Sequence, residues 1–254
     1  MAGDSKREAA RRRAAAQRAV EAATQSAAQR RRRLAVAAAV AAVVVVAVVI
    51  GIVVQTQRSS TSADAAVPAG TVADGTAFPV GQDGAPVTVD VYEDFLCPVC
   101  GRFEQVNGAA LDELAAGGDA LVRYRPIAIL DRASTTDYST RSLNAAAVVF
   151  DEAGVEAFTR FHDLLFAQQP AEGGPGLSDD QLVDLAAQAG ATGPGVEQGI
   201  RDGVFEDWTA QATEAASRAG VVGTPTILVD GERVPPADLT PDGIRAAVSA
   251  AAQG

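Results

Sequence analysis

The sequence predicts an α/β fold: a strand, a helix and a strand come first, followed by a run of helices, then two strands and a last helix. Val87, Val89 and Val91 alternate with more polar residues, which indicates a strand that buries one face. Apolar residues recur at helical spacing between Phe103 and Leu114, so an amphipathic helix is expected soon after that strand. Together these patterns predict a strand that runs directly into a helix.

The other elements follow in order along the chain. A short strand is expected near residues 77–80, and residues 120–129 form the strand after the first helix. Ser178 and Gln181 have the spacing of a capping box, which marks the start of a helix. We place a helical insertion at about residues 132–218. The expected helices after the third strand are 140–150, 155–168, 178–189, 198–218 and 241–251, with an Asp230-Gly231 hairpin joining the last two strands.

The two cysteines of the chain, Cys97 and Cys100, lie at the predicted junction of strand and helix. Pro98 suits the first turn of a helix, where its missing N–H is not needed. The unpaired N–H groups and the positive end of the helix dipole favour a thiolate at Cys97, while Cys100 lies one turn inside. We therefore expect Cys97 to form mixed disulfides and Cys100 to resolve them.

Two other interpretations of this cysteine pair stay open. A structural disulfide across two intervening residues would close a loop too short to stabilise the fold much. A zinc site needs about four ligands, and His162 is the single histidine that could join the pair. The pattern C-x-x-C after a strand favours redox chemistry over both, and no metal site is predicted.

A second motif, Gly223-Thr224-Pro225-Thr226, precedes the strand before the Asp-Gly hairpin. Together, C-P-x-C after a strand and G-T-P-T before one resemble the DsbA family of thiol:disulfide oxidoreductases, in its membrane-anchored form from actinobacteria and other Gram-positive bacteria. The resemblance covers about residues 78–252, including 161–166 and 177–182. It implies a thioredoxin fold with a helical insertion.

The resemblance also implies roles for the residues around the cysteines. Members of this family place a cis-proline beside the redox pair, so Thr224–Pro225 is expected to be cis, although an X–Pro bond is usually trans. The Thr224 backbone would then face a bound peptide and contribute to the energy of the thiolate. We expect Thr224, Pro225, Pro98 and Val99 to contact the substrate. Strongly oxidising members carry His where this chain has Val99, so a weaker oxidant is expected.

Related folds often carry a buried acid six residues before the first cysteine, but here that position is Val91. Glu93 lies on the same face of the strand, and we hypothesise that it accepts the proton of Cys100. Asp94 is expected to be a solvated charge at the strand end. Plain surface carboxylates remain the alternative for both acids.

Three residues of the predicted insertion are interpreted as packing residues. His162 borders an apolar stripe, with Phe158 four residues before it and Leu165 three after. It is therefore expected to pack at the edge of the insertion rather than to act in catalysis. Trp208 and Phe205 are expected in the core.

The charge is divided unevenly along the chain. Residues 1–33 carry +7 and the remainder carries −18, which argues against nucleic-acid binding by the acidic part. Residues 34–54 are 21 apolar residues, enough for one transmembrane helix of roughly 30 Å, and Arg30 to Arg33 precede them directly. The positive-inside rule puts residues 1–33 in the cytoplasm as a basic tail and the rest outside the cell. A cleaved signal peptide is the alternative.

The expected organisation is thus a membrane anchor, a flexible linker at 55–75 and a thioredoxin-like domain at 76–254. The expected function is that of an extracytoplasmic thiol:disulfide oxidoreductase that oxidises exported proteins with free thiols. As the resemblance implies, a quinone-linked membrane oxidase of the DsbB or vitamin K epoxide reductase type would reoxidise it. No organic cofactor is expected. The alternatives are a reductase or isomerase on the same fold, and a non-catalytic tethered binding module.

Overall fold

The computed structural model describes residues 65–254, which contain a five-stranded sheet with the strand order β1-β3-β2-β4-β5. The central strand β2 is parallel to β3 and antiparallel to β4, while β1 and β5 complete the two edges as antiparallel partners. The strands are β1 Phe78–Val80, β2 Val87–Glu93, β3 Ala120–Pro126, β4 Thr226–Val229 and β5 Glu232–Arg233. The tight turn at Asp230 and Gly231 has positive φ at both residues, as an Asp-Gly hairpin requires.

Six α-helices accompany the sheet within these residues. Helix α1 follows β2, four helices lie between β3 and β4, and the last helix packs on α1, β2 and β4. The helices are α1 Pro98–Gly117, α2 Tyr138–Ala167, α3 Asp179–Gln188, α4 Pro194–Asp202, α5 Glu206–Arg218 and α6 Pro241–Ala251, with short 3-10 turns at Asp131–Ala133 and Pro236–Asp238. This order is the thioredoxin fold with a helical insertion, as expected from the sequence.

Two glycines divide the helices of the insertion. The helices expected at 140–150 and 155–168 are the two segments of α2, which are separated at Gly154, where φ is 78° and the backbone is not helical. The single helix expected at 198–218 is wrong, because Gly203 adopts the left-handed conformation and ends α4 before α5 begins. The capping box of Ser178 and Gln181 at the start of α3 is confirmed.

The first described residues contact the domain, although the sequence assigned 55–75 to a flexible linker. The backbone N–H of Ala69 donates to Asp151, and the Trp208 indole donates to the Gly75 carbonyl at 2.6 Å. Val72 forms a β-bridge with Ala77. The part of this linker that the structure describes is therefore attached to the surface of the domain.

The core joins the sheet to the insertion through aromatic side chains. Phe78 of β1 packs against Phe158 of α2 and Trp208 of α5, with ring centroids 4.4 and 5.4 Å apart. Trp208 is fully buried and Phe205 nearly so, which confirms both as core residues. Truncating a buried aromatic of this size to alanine costs about 3–5 kcal/mol, so the insertion and the sheet stabilise each other.

The basic tail and the apolar segment predicted at 34–54 lie outside the described residues. Among residues 65–254, none of the helices has the length and apolar character needed to cross a bilayer.

Candidate active site

Cys97 and Cys100 lie at the junction of β2 and α1, as the sequence predicts. Cys97 is the N-cap residue of α1, Pro98 occupies the first turn, and Cys100 lies one turn along the helix. Both cysteines are free thiols; Cys97 is 6% exposed and Cys100 is fully buried. A partner molecule can therefore approach Cys97 and not Cys100.

The two thiols differ strongly in acidity. A hydrogen bond from Cys100, together with the backbone N–H groups of Cys100 and Val99, lowers the pKa of Cys97 to about 5, even though burial opposes ionisation. Burial and the neighbouring Cys97 sulfur raise the pKa of Cys100 far above its ordinary value. At neutral pH the site thus holds a thiolate at Cys97 beside a protonated thiol at Cys100, which is the arrangement of a nucleophile and a resolving thiol.

The loop before β4 forms the other wall of the site. The Thr224–Pro225 peptide bond is cis, and the Cys97 sulfur lies 3.6 Å from the Thr224 carbonyl oxygen. Both loop residues are half-buried, whereas Val99 and Val222 are 57% and 94% exposed. The structure thus brings Thr224 and Pro225 beside Cys97. The apolar side chains of Val99 and Val222, close in sequence to these residues, are exposed to solvent.

Asp94 contradicts its prediction as a solvated charge, because its side chain is fully buried. One carboxylate oxygen accepts from the Leu96 N–H and the Ser139 hydroxyl, and the other accepts from the N–H groups of Ile129 and Leu130. Burial, partly offset by these donors, raises its pKa to about 6. The carboxylate therefore ties the segment before Cys97 to the segment after β3, and it is buried because those backbone donors need an acceptor.

Gln169, just after the end of α2, supports the cysteine loop, a role that the sequence does not predict. Its amide nitrogen donates to the carbonyls of Phe95 at 2.9 Å and Cys97 at 3.0 Å. A Cβ at Gly101 would lie 2.6 Å from the Gln169 amide oxygen, so the glycine permits this close approach. No local sequence pattern signals a contact between residues 72 positions apart.

Glu93, the last residue of β2, is fully buried and forms an ion pair with His162 of α2. Its Oε1 atom lies 2.7 Å from the His162 Nε2 atom, while Oε2 has no hydrogen-bond partner. Burial opposes protonation of His162, but the Glu93 carboxylate and Asp163 raise its pKa well above the ordinary value. His162 is thus a buried partner of Glu93, which corrects its assignment to packing at the edge of the insertion.

Glu104 of α1 completes this cluster. Burial and repulsion from Glu93 raise its pKa to about 8, so its carboxyl group retains a proton at neutral pH. The acceptor and donor atoms of Glu93, Glu104 and His162 all lie within 4.8 Å of one another. Within the described residues, these three side chains are the group with the donor set and spacing to hold a metal ion.

Comparison with known proteins identifies the class that this fold and thiol pair define. The family model described as thioredoxin matches residues 73–250. The structure resembles oxidised DsbA from Mycobacterium tuberculosis, with 35% identity, a TM-score of 0.61, and coverage of 70% of this chain and 93% of that one. It also resembles MdbA, a thiol-disulfide oxidoreductase from Corynebacterium diphtheriae, with 27% identity, a TM-score of 0.60, and coverage of 75% and 98%.

The chain therefore belongs to the thioredoxin family and is DsbA-like, similar to the thiol:disulfide oxidoreductases of actinobacteria. A further relative is the serine/threonine-protein kinase PknE of Mycobacterium tuberculosis, which is 30% identical over 162 residues. That match covers 61% of this chain and 28% of the kinase, so this chain spans less than a third of the relative's length.

Proposed function

We propose that this protein is a membrane-anchored, extracytoplasmic oxidoreductase that donates its Cys97–Cys100 disulfide to exported proteins. The observation that carries the proposal is the difference in acidity between the two thiols. A Cys97 thiolate with a pKa of about 5 is a stable leaving group, because its negative charge is already favoured in the folded protein. A protein that stabilises its own reduced form in this way is an oxidant of other thiols.

The exchange proceeds in two balanced steps. A substrate thiolate attacks the Cys97 sulfur of the oxidised enzyme; the Cys97–Cys100 bond breaks, and Cys100 leaves with the electron pair and takes up a proton. A second substrate thiolate then attacks the substrate sulfur of the mixed disulfide and displaces Cys97 as a thiolate. The substrate gains one disulfide, and the enzyme gains two electrons as its dithiol.

Glu93 is proposed as the group that exchanges the proton of Cys100. Its complete burial and its unpaired Oε2 atom support this role. The ion pair with His162 engages the other oxygen and thereby orients the carboxyl group. Glu93 thus takes the place of the acid that the sequence lacks at Val91.

Substrate binding is proposed for the exposed side of the site. The Thr224 backbone beside Cys97 offers a peptide an edge with which to pair as an added strand. Pro98 and Val99, both exposed at the start of α1, would contact apolar side chains of the bound segment. Such contacts suit an enzyme that acts on many unfolded clients.

The location and the redox partner are inferred from the amino-acid sequence. The 21-residue apolar segment and the arginines before it favour an anchor with the domain outside the cytoplasm, where disulfides persist. With only two cysteines in the chain, electrons must leave to another molecule. As the resemblance to the DsbA family implies, we propose reoxidation by a quinone-linked membrane oxidase of the DsbB or vitamin K epoxide reductase type.

The proposal is tested by disulfide formation in a client. Oxidised full-length protein in detergent is mixed with a reduced, unfolded protein that contains an even number of cysteines, and the loss of client thiols is followed with time. One disulfide should form in the client for each enzyme disulfide consumed, and Cys97→Ser should abolish transfer. Transfer by the Cys97→Ser variant at the wild-type rate would refute the proposed route.

A reductase or isomerase is the second candidate, and Val99 is the observation that favours it. Valine cannot donate a hydrogen bond to the thiolate, so the site lacks a side-chain cation that would further stabilise the reduced form. The reduction potential of the cysteine pair distinguishes this candidate from a disulfide donor.

A further inference from the structure

We propose that Glu93, Glu104 and His162 bind one divalent transition-metal ion of the zinc type beneath the cysteine helix. The proposal does not depend on the direction of disulfide exchange, but the ion and the proton of Cys100 would compete for the Oε2 atom of Glu93. It rests on the donor set, its burial, its unpaired atoms and the pocket that reaches it.

The donor set matches the chemistry of borderline metal ions. One imidazole nitrogen and two carboxylate oxygens are ligands that Zn²⁺ accepts at about 2.0–2.2 Å, usually with a water molecule in the fourth position. The side-chain donor atoms of Glu93, Glu104 and His162 already lie within 4.8 Å of one another. Binding would therefore need only a small adjustment of the side chains to bring all three donor atoms onto one ion.

Two buried oxygen atoms of the cluster lack partners. Oε2 of Glu93 and Oε1 of Glu104 make no hydrogen bond, although both atoms are inaccessible to solvent. Leaving such atoms unsatisfied costs about 1–3 kcal/mol each, and a metal ion would bind both. Binding would displace the proton that Glu104 holds at neutral pH, and the ion would then offset the charge of both carboxylates.

The histidine is oriented as a metal ligand commonly is. Its Nδ1 atom lies 3.5 Å from the Asp163 carboxylate, while Nε2 points to Glu93. Metal-bound histidines usually give their second ring nitrogen to such a carboxylate, which fixes the ring and its tautomer. The 2.7 Å contact between Nε2 and Oε1 of Glu93 is a hydrogen bond, so the ion would take the place of its proton.

An open pocket of about 650 Å³ between α1 and α2 leads to Glu104. Asp112 and Asp163 line it, so its negative charge would attract a cation and its water would supply the fourth ligand. Phe95, Tyr124, Phe158 and Phe166 surround His162 on its other sides. The pocket therefore offers an ion a route to Glu104.

The test is a calorimetric titration of the full-length protein in detergent with Zn²⁺. The protein is first oxidised, because a Cys97–Cys100 disulfide cannot bind zinc as thiolates do. We expect one ion per chain. Glu104→Gln should lower the affinity for Zn²⁺ about 100-fold or more, because losing a group that only hydrogen-bonds to a metal ligand already lowers metal affinity about 10- to 100-fold. Glu113→Gln, on the same helix and paired with Arg245 at the surface, is the matched control and should bind as the wild type does.

A second measurement keeps the test decisive if a variant is unstable. Co²⁺ added to the oxidised wild-type protein should give the visible absorption of a nitrogen- and oxygen-ligated ion, and excess Zn²⁺ should remove that absorption. The proposal is overturned if the oxidised wild type binds neither ion, or if a Glu104→Gln variant with wild-type circular dichroism binds Zn²⁺ as tightly as the wild type.

Discussion

Replacing Cys100 by alanine should make Cys97 a weaker acid, because the hydrogen bond from Cys100 is the largest contribution to the low pKa of Cys97. A hydrogen bond to a charged group contributes about 1.5–3 kcal/mol. Its loss would therefore lower the acid dissociation constant of Cys97 about ten- to a hundredfold. Cys100→Ser is the matched control, since its hydroxyl still donates to the thiolate.

The assay is the ultraviolet absorbance of the thiolate as the pH is raised from acid to neutral. In the wild type the signal reports Cys97 alone, because the pKa of Cys100 is raised far beyond this window. The tyrosines of the domain, Tyr92, Tyr124 and Tyr138, have raised pKa values and also stay neutral between acid and neutral pH. If Cys100→Ala ionises at the same pH as Cys100→Ser, the hydrogen bond is not what stabilises the thiolate and the reasoning fails.

Three further predictions concern the same site. Val99→His should stabilise the Cys97 thiolate and raise the reduction potential, by about 30 mV for each tenfold change in the equilibrium constant that favours the reduced form. An unchanged potential, or an equal rise in Val99→Gln, would argue against a role for the missing imidazole. Glu93→Gln should alter the pH dependence of thiol exchange with a small disulfide if Glu93 handles the proton of Cys100, and an identical pH profile would exclude that role. Because the pKa of Cys97 is about 5 in the folded protein and about 8.5 in an unfolded chain, ionisation stabilises the reduced protein as the pH rises between these values, and this contribution is lost as the pH falls through about 5. Urea unfolding at pH 5 and pH 8 should show reduced wild type gaining up to about 4 kcal/mol relative to Cys97→Ser, and a constant difference between the two proteins would contradict the low pKa.

The parts of the site that the sequence predicts are those with local signals. The alternation of valines, the proline after Cys97 and the spacing of the two cysteines place the thiol pair at the start of a helix, where the structure has it. The resemblance to DsbA supplied the expectation that Thr224–Pro225 is cis and lies beside Cys97, which the structure bears out.

The parts that were missed depend on contacts between distant segments. Glu93 and His162 are 69 residues apart, and their pairing follows from how α2 packs on the sheet rather than from any local pattern. A carboxylate at a strand end is usually solvated, yet Asp94 is buried because two loops direct three backbone N–H groups at it and α2 adds the Ser139 hydroxyl. Gly203 ends α4 because it adopts a positive φ, and the polar residues on either side of it give no local sign of the break.

The measurement that tests the proposed function most directly is the reduction potential of the Cys97–Cys100 pair, obtained by equilibrating the full-length protein with glutathione. A disulfide donor should give a value between about −120 and −180 mV, the range of protein oxidants. A value near about −270 mV, as in thioredoxin, would contradict disulfide donation and assign the protein to the reductases.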